Sequence, residues 1–427
     1  MRAVSIAFAA ALAAVASLPQ PLRAETAAIE AAPGSVLEAV VLFSRHGVRA
    51  PIQPDSYLNE YSDTAWPDFG VATGYLTPHG FDAAEQMGAF YGAYFRNGGL
   101  LPATGCPKGR SVWFHTDNMQ RTYQTGIALR NGMFPGCSYK VRSLPLDEDV
   151  ADPLIDPPAA GICKPSDSRS DTAYAATPGA SSEAVANGSI YSLLELQGVL
   201  NCCQPSLCAK AGLAPGCTLL DLPVGAVLDA ATNLSEIFLM EYATNMSPLN
   251  VGWGRITSVQ QLSFVNAVHA LEFAAGNASA YDARVNGSNV INLVLQRFRQ
   301  AANGKGRKVS VIVGHDDNIL NLAGMFGLTW MLDDYQQNQV PPGAGLTFEL
   351  WRNKKTGKRF VAVNYWAQSP DQLRDATPLS VDAPPRNAGL WGGICATTAT
   401  KSGCPLADFR AAASRAIYKP CVGMKPK

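Results

Sequence analysis

The sequence predicts an α/β fold with a smaller, mainly helical unit inserted into it. Three short β-rich runs carry the first half of that reading: Ala39 to Phe43, Ser111 to Phe114 and Lys308 to Val313. Continuous apolar runs of this length suit strands buried on both faces. Each ends in polar residues and is followed by a helical pattern, and strand-then-helix repetition argues an α/β domain. The second half comes from the middle of the chain, which reads as loop and then as helix, without the strand signal.

In chain order, Arg2 and the apolar run Ala3 to Leu18 read as a secretory signal, with Leu22-Arg23-Ala24 offering a small residue at the cleavage point before Glu25. The run is about 16 residues, shorter than the roughly 20 a membrane span needs. The first strand follows, ending at Arg45-His46. Thr77 caps an expected helix from Pro78 to Phe95, with proline at the favoured first position. The second strand ends at His115-Thr116-Asp117 and leads into a helix over Asn118 to Asn131. From Asp152 to Ser189 the chain is rich in Pro, Ala, Gly and Ser and reads as loop. From Ile190 to about Phe273 it is mostly helical. The third strand ends at Gly314-His315-Asp316-Asp317-Asn318, before a helix over Asn318 to Phe326. A late strand reaches Trp351 after a proline-glycine lead-in at Pro341. The tail beyond Asn364 reads as loop-rich. The expected division is a signal at 1–24, a discontinuous α/β domain at 25–151 and 285–427, and a helical cap at 152–284.

Composition narrows the function classes. The 427 residues are 47% hydrophobic and 16% charged, ordinary for a globular chain, with a formal net charge of zero. Nothing recommends nucleic acid or an anionic membrane as a partner. Anion binding must come from local clustering of arginine and lysine. Ten cysteines without a CxxC pair weaken zinc-ribbon and thioredoxin readings, and an even count in an exported chain suggests disulfides. The expected location is therefore periplasmic or secreted, with no membrane association once the signal is removed. The oligomeric state is left open.

The chemistry is concentrated in Arg45-His46-Gly47-Val48-Arg49-Ala50-Pro51, directly after the first strand. Ligand sites in α/β folds lie beyond the carboxyl ends of strands. Two guanidiniums flanking one imidazole suit a tetrahedral oxyanion, because arginine grips phosphate oxygens with a planar fork. This segment resembles the RHGxRxP signature of the histidine acid phosphatases, branch 2 of the histidine phosphatase superfamily, a family that includes bacterial periplasmic phytases and glucose-1-phosphatases. The resemblance runs from about Leu37 to Cys421. It implies a phosphoglycerate-mutase-like mixed sheet flanked by helices, with a helical cap inserted where the sequence places one.

The resemblance also implies roles. His46 would be the nucleophile, forming a covalent phosphohistidine. Arg45 and Arg49 would hold the phosphate oxygens, joined by Arg121 from Thr116-Asp117-Asn118-Met119-Gln120-Arg121-Thr122. His315 and Asp316 match the family's HD motif, with His315 touching a phosphate oxygen at a helix N-terminus and Asp316 giving a proton to the leaving alcohol. Asp117 matches an acid near the nucleophile or the substrate. Glu236 resembles a residue near the pocket mouth, and His269 a substrate-facing histidine. No metal or other cofactor is expected, since the arginines supply the positive charge. The expected partner is a small phosphate monoester.

Departures bear on substrate. Ile52 and Gln53 stand where the bacterial phytases carry small polar and basic residues, and Asp317 stands where they often carry threonine. Of the five histidines, His115 reads as a packing neighbour of the site and His79 as structural. Cys106/Cys137, Cys208/Cys217 and Cys395/Cys404 are close enough in sequence to pair locally, and Cys163/Cys421 would then join the centre to the C-terminus, a pairing that resembles the phytases'. Cys202-Cys203 stays open between a vicinal bridge, pairing between chains and a reduced buried pair. Asn250-Val251-Gly252-Trp253-Gly254-Arg255 matches the family but receives no chemical role. Two alternatives remain: a mutase-like phosphotransferase, whose pattern lacks the second arginine and the proline, and a catalytically silent phosphate- or sugar-phosphate-binding protein.

Overall fold

The structure, a computed structural model, describes residues 33–177, 179–277, 279–395 and 403–424. The expected signal at 1–24 lies outside them. The described residues form one mixed sheet of eight strands: β1 (Ser35–Arg45), β2 (Val112–Thr116), β3 (Val141–Arg142), β4 (Val309–Gly314), β5 (Gly345–Asn353), β6 (Arg359–Ala367), β7 (Arg386–Gly389) and β8 (Cys404–Pro405). The order is β3-β2-β4-β1-β5-β6-β7, with β8 paired to β6. β1 is parallel to β4 and antiparallel to β5, and β2 is parallel to both β3 and β4.

The register places the site. Arg45 pairs with Gly314, and Thr116 with Val313, so the parallel strands β1, β4 and β2 end level. The chain leaves all three at one edge, where their polar clusters meet. Alternation along β1 builds the two sides of the core. Val41 and Phe43 pack with Val290, Ile291, Val294 and Phe298 of the helix Ala280–Ala302, and with Ile319. Val40 and Leu42 pack on the other face with Met87, Phe90, Tyr91 and Phe95 of the helix Pro78–Asn97. Each such side chain, fully buried, contributes roughly 1.5–3 kcal/mol.

The helix Pro78–Asn97 starts as its sequence dictates. Thr77 Oγ1 accepts from the Gly80 N–H at 2.9 Å. Gly80 is required by space: a Cβ there would lie 2.2 Å from the Val48 carbonyl oxygen, so the helix start presses directly on the loop after β1.

The cap has its own apolar cluster, drawn chiefly from the helices Ile190–Leu200, Val224–Ala243 and Val259–Val265. Val48, Ala50, Leu58, Tyr61 and Phe69 join it from the N-terminal segment. The Asn250–Arg255 motif is structural here. Gly252 and Trp253 have φ values of 54° and 55°, in the left-handed region. Trp253 packs against Trp66 and Phe238, and the Gly252 N–H donates to Glu241 Oε2 at 2.8 Å.

Three expectations differ from the structure. The stretch read as loop contains the helices Asp167–Ala175 and Ser182–Gly188. The first buries none of its residues and the second only Val185, so neither offered an apolar face to read. The tail beyond Asn364 is also more regular than expected. It completes β6, adds β7 and β8, and ends in the helix Leu406–Ala416, which buries Phe409 and Ala413 against the sheet. The expected limit between 284 and 285 falls inside the continuous helix Ala280–Ala302.

The cysteines pair as Cys106–Cys137, Cys163–Cys421, Cys208–Cys217 and Cys395–Cys404, and Cys202 bonds to Cys203. No helix among the described residues is long and apolar enough to cross a membrane.

Candidate active site

The level strand ends bring Arg45, His46, Arg49, Arg121, His315 and Asp316 to one cavity of about 260 Å³, with Glu236 and His269 reaching in from the cap. Ile52, Gln53 and Asp317 also line it. Asp117 lies beside it, joined to His315.

His46 is fixed by backbone on both sides. Its N–H donates to the Gly314 carbonyl at 3.0 Å, and its carbonyl accepts from the Gly343 N–H at 2.8 Å. The imidazole Nδ1 lies 2.8 Å from the Gly47 carbonyl oxygen. A carbonyl only accepts, so Nδ1 carries the hydrogen and Nε2 keeps its lone pair. Burial pushes the His46 pKa well below the ordinary imidazole value, and Arg121, Arg45, Arg49 and His315 push it the same way. The ring is thus held neutral with a free nitrogen. Thr125, unremarked in the sequence, accepts the Gly47 N–H at 2.9 Å and steadies this loop.

The arginines differ. Arg45 is 1% exposed and points Nη2 between Glu236 Oε2 at 2.8 Å and Asp316 Oδ2 at 2.9 Å. Its Nη1 donates to the Val340 carbonyl. Burial alone would lower its pKa, but Asp316 and Glu236 outweigh that and raise it. Arg49 and Arg121 lack such pairing. Burial lowers the Arg49 pKa to about 10, with Arg45 and Arg121 adding to the effect. Burial also lowers that of Arg121, partly offset by Asp117. The Nε–H groups of all three arginines are buried without a hydrogen-bond partner among the described residues. Unmet buried donors on cations call for an anion.

Asp117 accepts from His315 Nε2 at 2.8 Å. Burial works against its ionisation, but the His315 pairing prevails and holds the carboxyl below its usual range. The sequence placed this acid near the nucleophile or the substrate; its direct contact is His315, whose ring lies 5.6 Å from that of His46. His315 also caps the helix Asp316–Gly324, its N–H donating to Asn318 Oδ1 at 3.0 Å. That side-chain cap starts the helix two residues before the expected Asn318. Burial, and then the charge of Asp316, raise the pKa of Asp317.

From the cap, His269 Nε2 lies 3.2 Å from Glu236 Oε2 and 3.8 Å from Asp316 Oδ2. Burial opposes ionisation of Glu236, yet Arg45, His269 and Arg49 hold its pKa below the usual carboxylate range. Thr232, Asn233 and Phe273 line the cavity unforeseen. Their signal was helical spacing. Thr232 stands one turn before Glu236, and Phe273 one turn after His269, against which it stacks at 4.3 Å. Gln53 donates to Asn233 Oδ1 at 2.6 Å, while Ile52 is 46% exposed at the rim. His115 lies outside the cavity, stacked on Trp113 and paired with Asp152 at 2.8 Å. His79 pairs with the Leu373 carbonyl at 2.8 Å.

The ligand atoms of Glu236, His269 and Asp316 converge within 4.8 Å, a spacing that suits a metal ion. The Arg45 guanidinium already lies within hydrogen-bond distance of both carboxylates, however. It supplies the positive charge a metal would bring.

Fold and relatives together define a phosphomonoesterase of the histidine phosphatase type. A profile of the Histidine phosphatase superfamily (branch 2) matches residues 36–365, and the chain belongs to that family. It is 31% identical to phytase AppA of Escherichia coli (strain K12), over 95% of this chain and 98% of that one. It is 26% identical to the glucose-1-phosphatase of Providencia rettgeri, over 94% and 97%. Among solved structures, Hafnia alvei phytase in complex with myo-inositol hexakis sulphate superposes with a TM-score of 0.81, at 31% identity, over 92% of this chain and 100% of that one.

Proposed function

We propose that this protein is an exported histidine acid phosphatase that hydrolyses phosphate monoesters through a phosphohistidine on His46, with Asp316 as proton donor. The observation that carries the reading is a neutral imidazole with a free Nε2 among three buried arginines whose Nε–H groups lack partners. The phosphoryl group would sit among Arg45, Arg49 and Arg121, with His315 on one oxygen. His46 Nε2 attacks phosphorus, the P–O bond to the alcohol breaks, and Asp316 protonates the departing oxygen. Water then attacks the phosphohistidine, gives a proton to the Asp316 carboxylate, and releases phosphate and neutral His46. Positive charge around the phosphoryl oxygens does the work that a metal does elsewhere.

The helical cap, expected at 152–284, supplies Glu236 and His269 to the alcohol side of the pocket. The relatives' names put sugar phosphates and phytate among the candidate substrates. Export is supported by the signal-like N-terminus and by five disulfides, which persist in oxidising compartments.

The test is turnover of p-nitrophenyl phosphate at acid pH, with an alkaline quench to trap phosphohistidine, which survives base. His46→Ala should lower kcat by several decades and abolish the trapped species, as removal of a nucleophile does. Near-normal turnover in that variant would refute the assignment.

A further inference from the structure

Two cavities meet at His315 and Asp317. Beyond the His315–Asp117 pair lies a second cleft of about 330 Å³, which shares Met119, His315 and Asp317 with the phosphate pocket. Its ionisable lining is six carboxylates and His315, with no lysine or arginine. Asp117 is spoken for by His315 and Asp152 by His115, each at 2.8 Å. Glu148, Asp149, Asp156 and Asp317 remain.

A second observation points to what they face. Asn321 lines the same cleft, is 2% exposed, and its Oδ1 has no hydrogen-bond partner among the described residues. A buried acceptor left unmet calls for a donor. Negative charge and an orphaned acceptor together suit a cation that carries N–H groups, and they oppose a further phosphate. A point metal ion fits less well. Among the described residues, the only cluster whose ligand atoms converge within 4.8 Å is Glu236–His269–Asp316, in the other cavity.

We propose that this cleft is a leaving-group subsite for a protonated amine, so that the enzyme favours phosphate monoesters whose alcohol carries an ammonium group. The inference rests on the phosphomonoesterase reading. The phosphate occupies the arginines and the ester oxygen meets Asp316. The alcohol then runs past Asp317, and its ammonium meets the acidic wall and Asn321. The bonds broken and formed are those of ordinary hydrolysis.

The experiment compares kcat/KM within two matched pairs: 2-aminoethyl against 2-hydroxyethyl phosphate, and 6-aminohexyl against 6-hydroxyhexyl phosphate. p-Nitrophenyl phosphate serves as the common reference. In at least one pair the amine should lead by roughly five- to thirtyfold, the scale of one or two charge-assisted contacts by partly exposed groups. The double variant Glu148→Gln/Asp156→Asn should cut that lead at least about threefold and leave nitrophenyl phosphate within about twofold. Equal rates within both pairs would overturn the subsite, as would a lead that the double variant does not move. In both cases turnover of nitrophenyl phosphate would leave the phosphatase reading standing. No turnover of any ester, nitrophenyl phosphate included, would overturn both.

Discussion

Replacing Asp316 with asparagine removes a transferable proton while nearly keeping shape. Arg45 retains Glu236 at 2.8 Å when it loses the Asp316 carboxylate at 2.9 Å, so the guanidinium stays anchored. For an alkyl phosphate the leaving alkoxide needs that proton, and a positioned general acid contributes about 10²–10⁴ in rate. At 1.36 kcal/mol per decade this is about 2.7–5.4 kcal/mol of barrier. A nitrophenolate leaves with little need of protonation, so kcat for p-nitrophenyl phosphate should fall by less than about tenfold. Binding should change in the opposite sense. Arg45 would have one anionic partner fewer, its attraction for a phosphate dianion would rise, and KM for the nitrophenyl ester should fall or hold. The assay is steady-state kcat and KM for ethyl phosphate and p-nitrophenyl phosphate, side by side. Equal loss on both substrates would refute the assignment and make the neighbouring Asp317 the candidate donor.

Other expected outcomes address different parts of the molecule. After burial, Arg121 is the largest influence depressing the His46 pKa, so Arg121→Met should raise that pKa, move the acid limb of kcat/KM to higher pH and raise KM; an unmoved limb would mean another group sets it. Burial raises the Glu241 pKa to about 8, so the folded state binds a proton that the unfolded state has released. Stability must then fall as pH rises from about 4.5 to 8, by on the order of 5 kcal/mol at most from this group. Glu241→Gln should flatten that fall and stabilise the protein at pH 8, as read by urea unfolding, and an unchanged pH profile would contradict it. Activity should survive exhaustive chelation, and loss restored by a divalent ion would show a metal at work. Finally, Asp317 facing an extra phosphate should cost about 1–4 kcal/mol, depending on the effective dielectric. Glucose 1-phosphate should therefore match or exceed phytate in kcat/KM, and Asp317→Thr should shift the balance toward phytate; strong phytate preference in the unaltered protein would sink this.

What the sequence revealed and what it hid follow physical lines. β1 and β4 were legible as apolar runs buried on both faces, and β2 as a short run that buries Val112 and Phe114 and half-buries Trp113; their polar ends named most of the pocket. The helix at Pro78 was legible from Thr77 and its proline. The helices Asp167–Ala175 and Ser182–Gly188 were not, because they bury almost nothing. Glu236 and His269 were reached by resemblance; Thr232 and Phe273 needed the helix phase, which only the packing of the cap fixes. The carbonyl of Val340 on Arg45 could not be read at all, since any residue type offers the same oxygen.

The three arginines are chemically alike in sequence but unequal in the fold, and that inequality suggests an order of events. Arg49 and Arg121 are destabilised by burial and by the charge of Arg45, with no carboxylate in salt-bridge contact among the described residues, so they are free to take an incoming phosphate first. Arg45 is engaged beforehand by Glu236 and Asp316. A dianion arriving at its Nη2 must compete with both carboxylates. Glu236 has a second partner in His269, whose Nε2 lies 3.2 Å away, whereas Asp316 lies farther from that ring, at 3.8 Å. Asp316 is therefore the carboxylate more easily displaced, and it is the one proposed to meet the ester oxygen. Substrate binding would thus release the proton donor from its resting partner, and Glu236 would keep Arg45 in place while this happens.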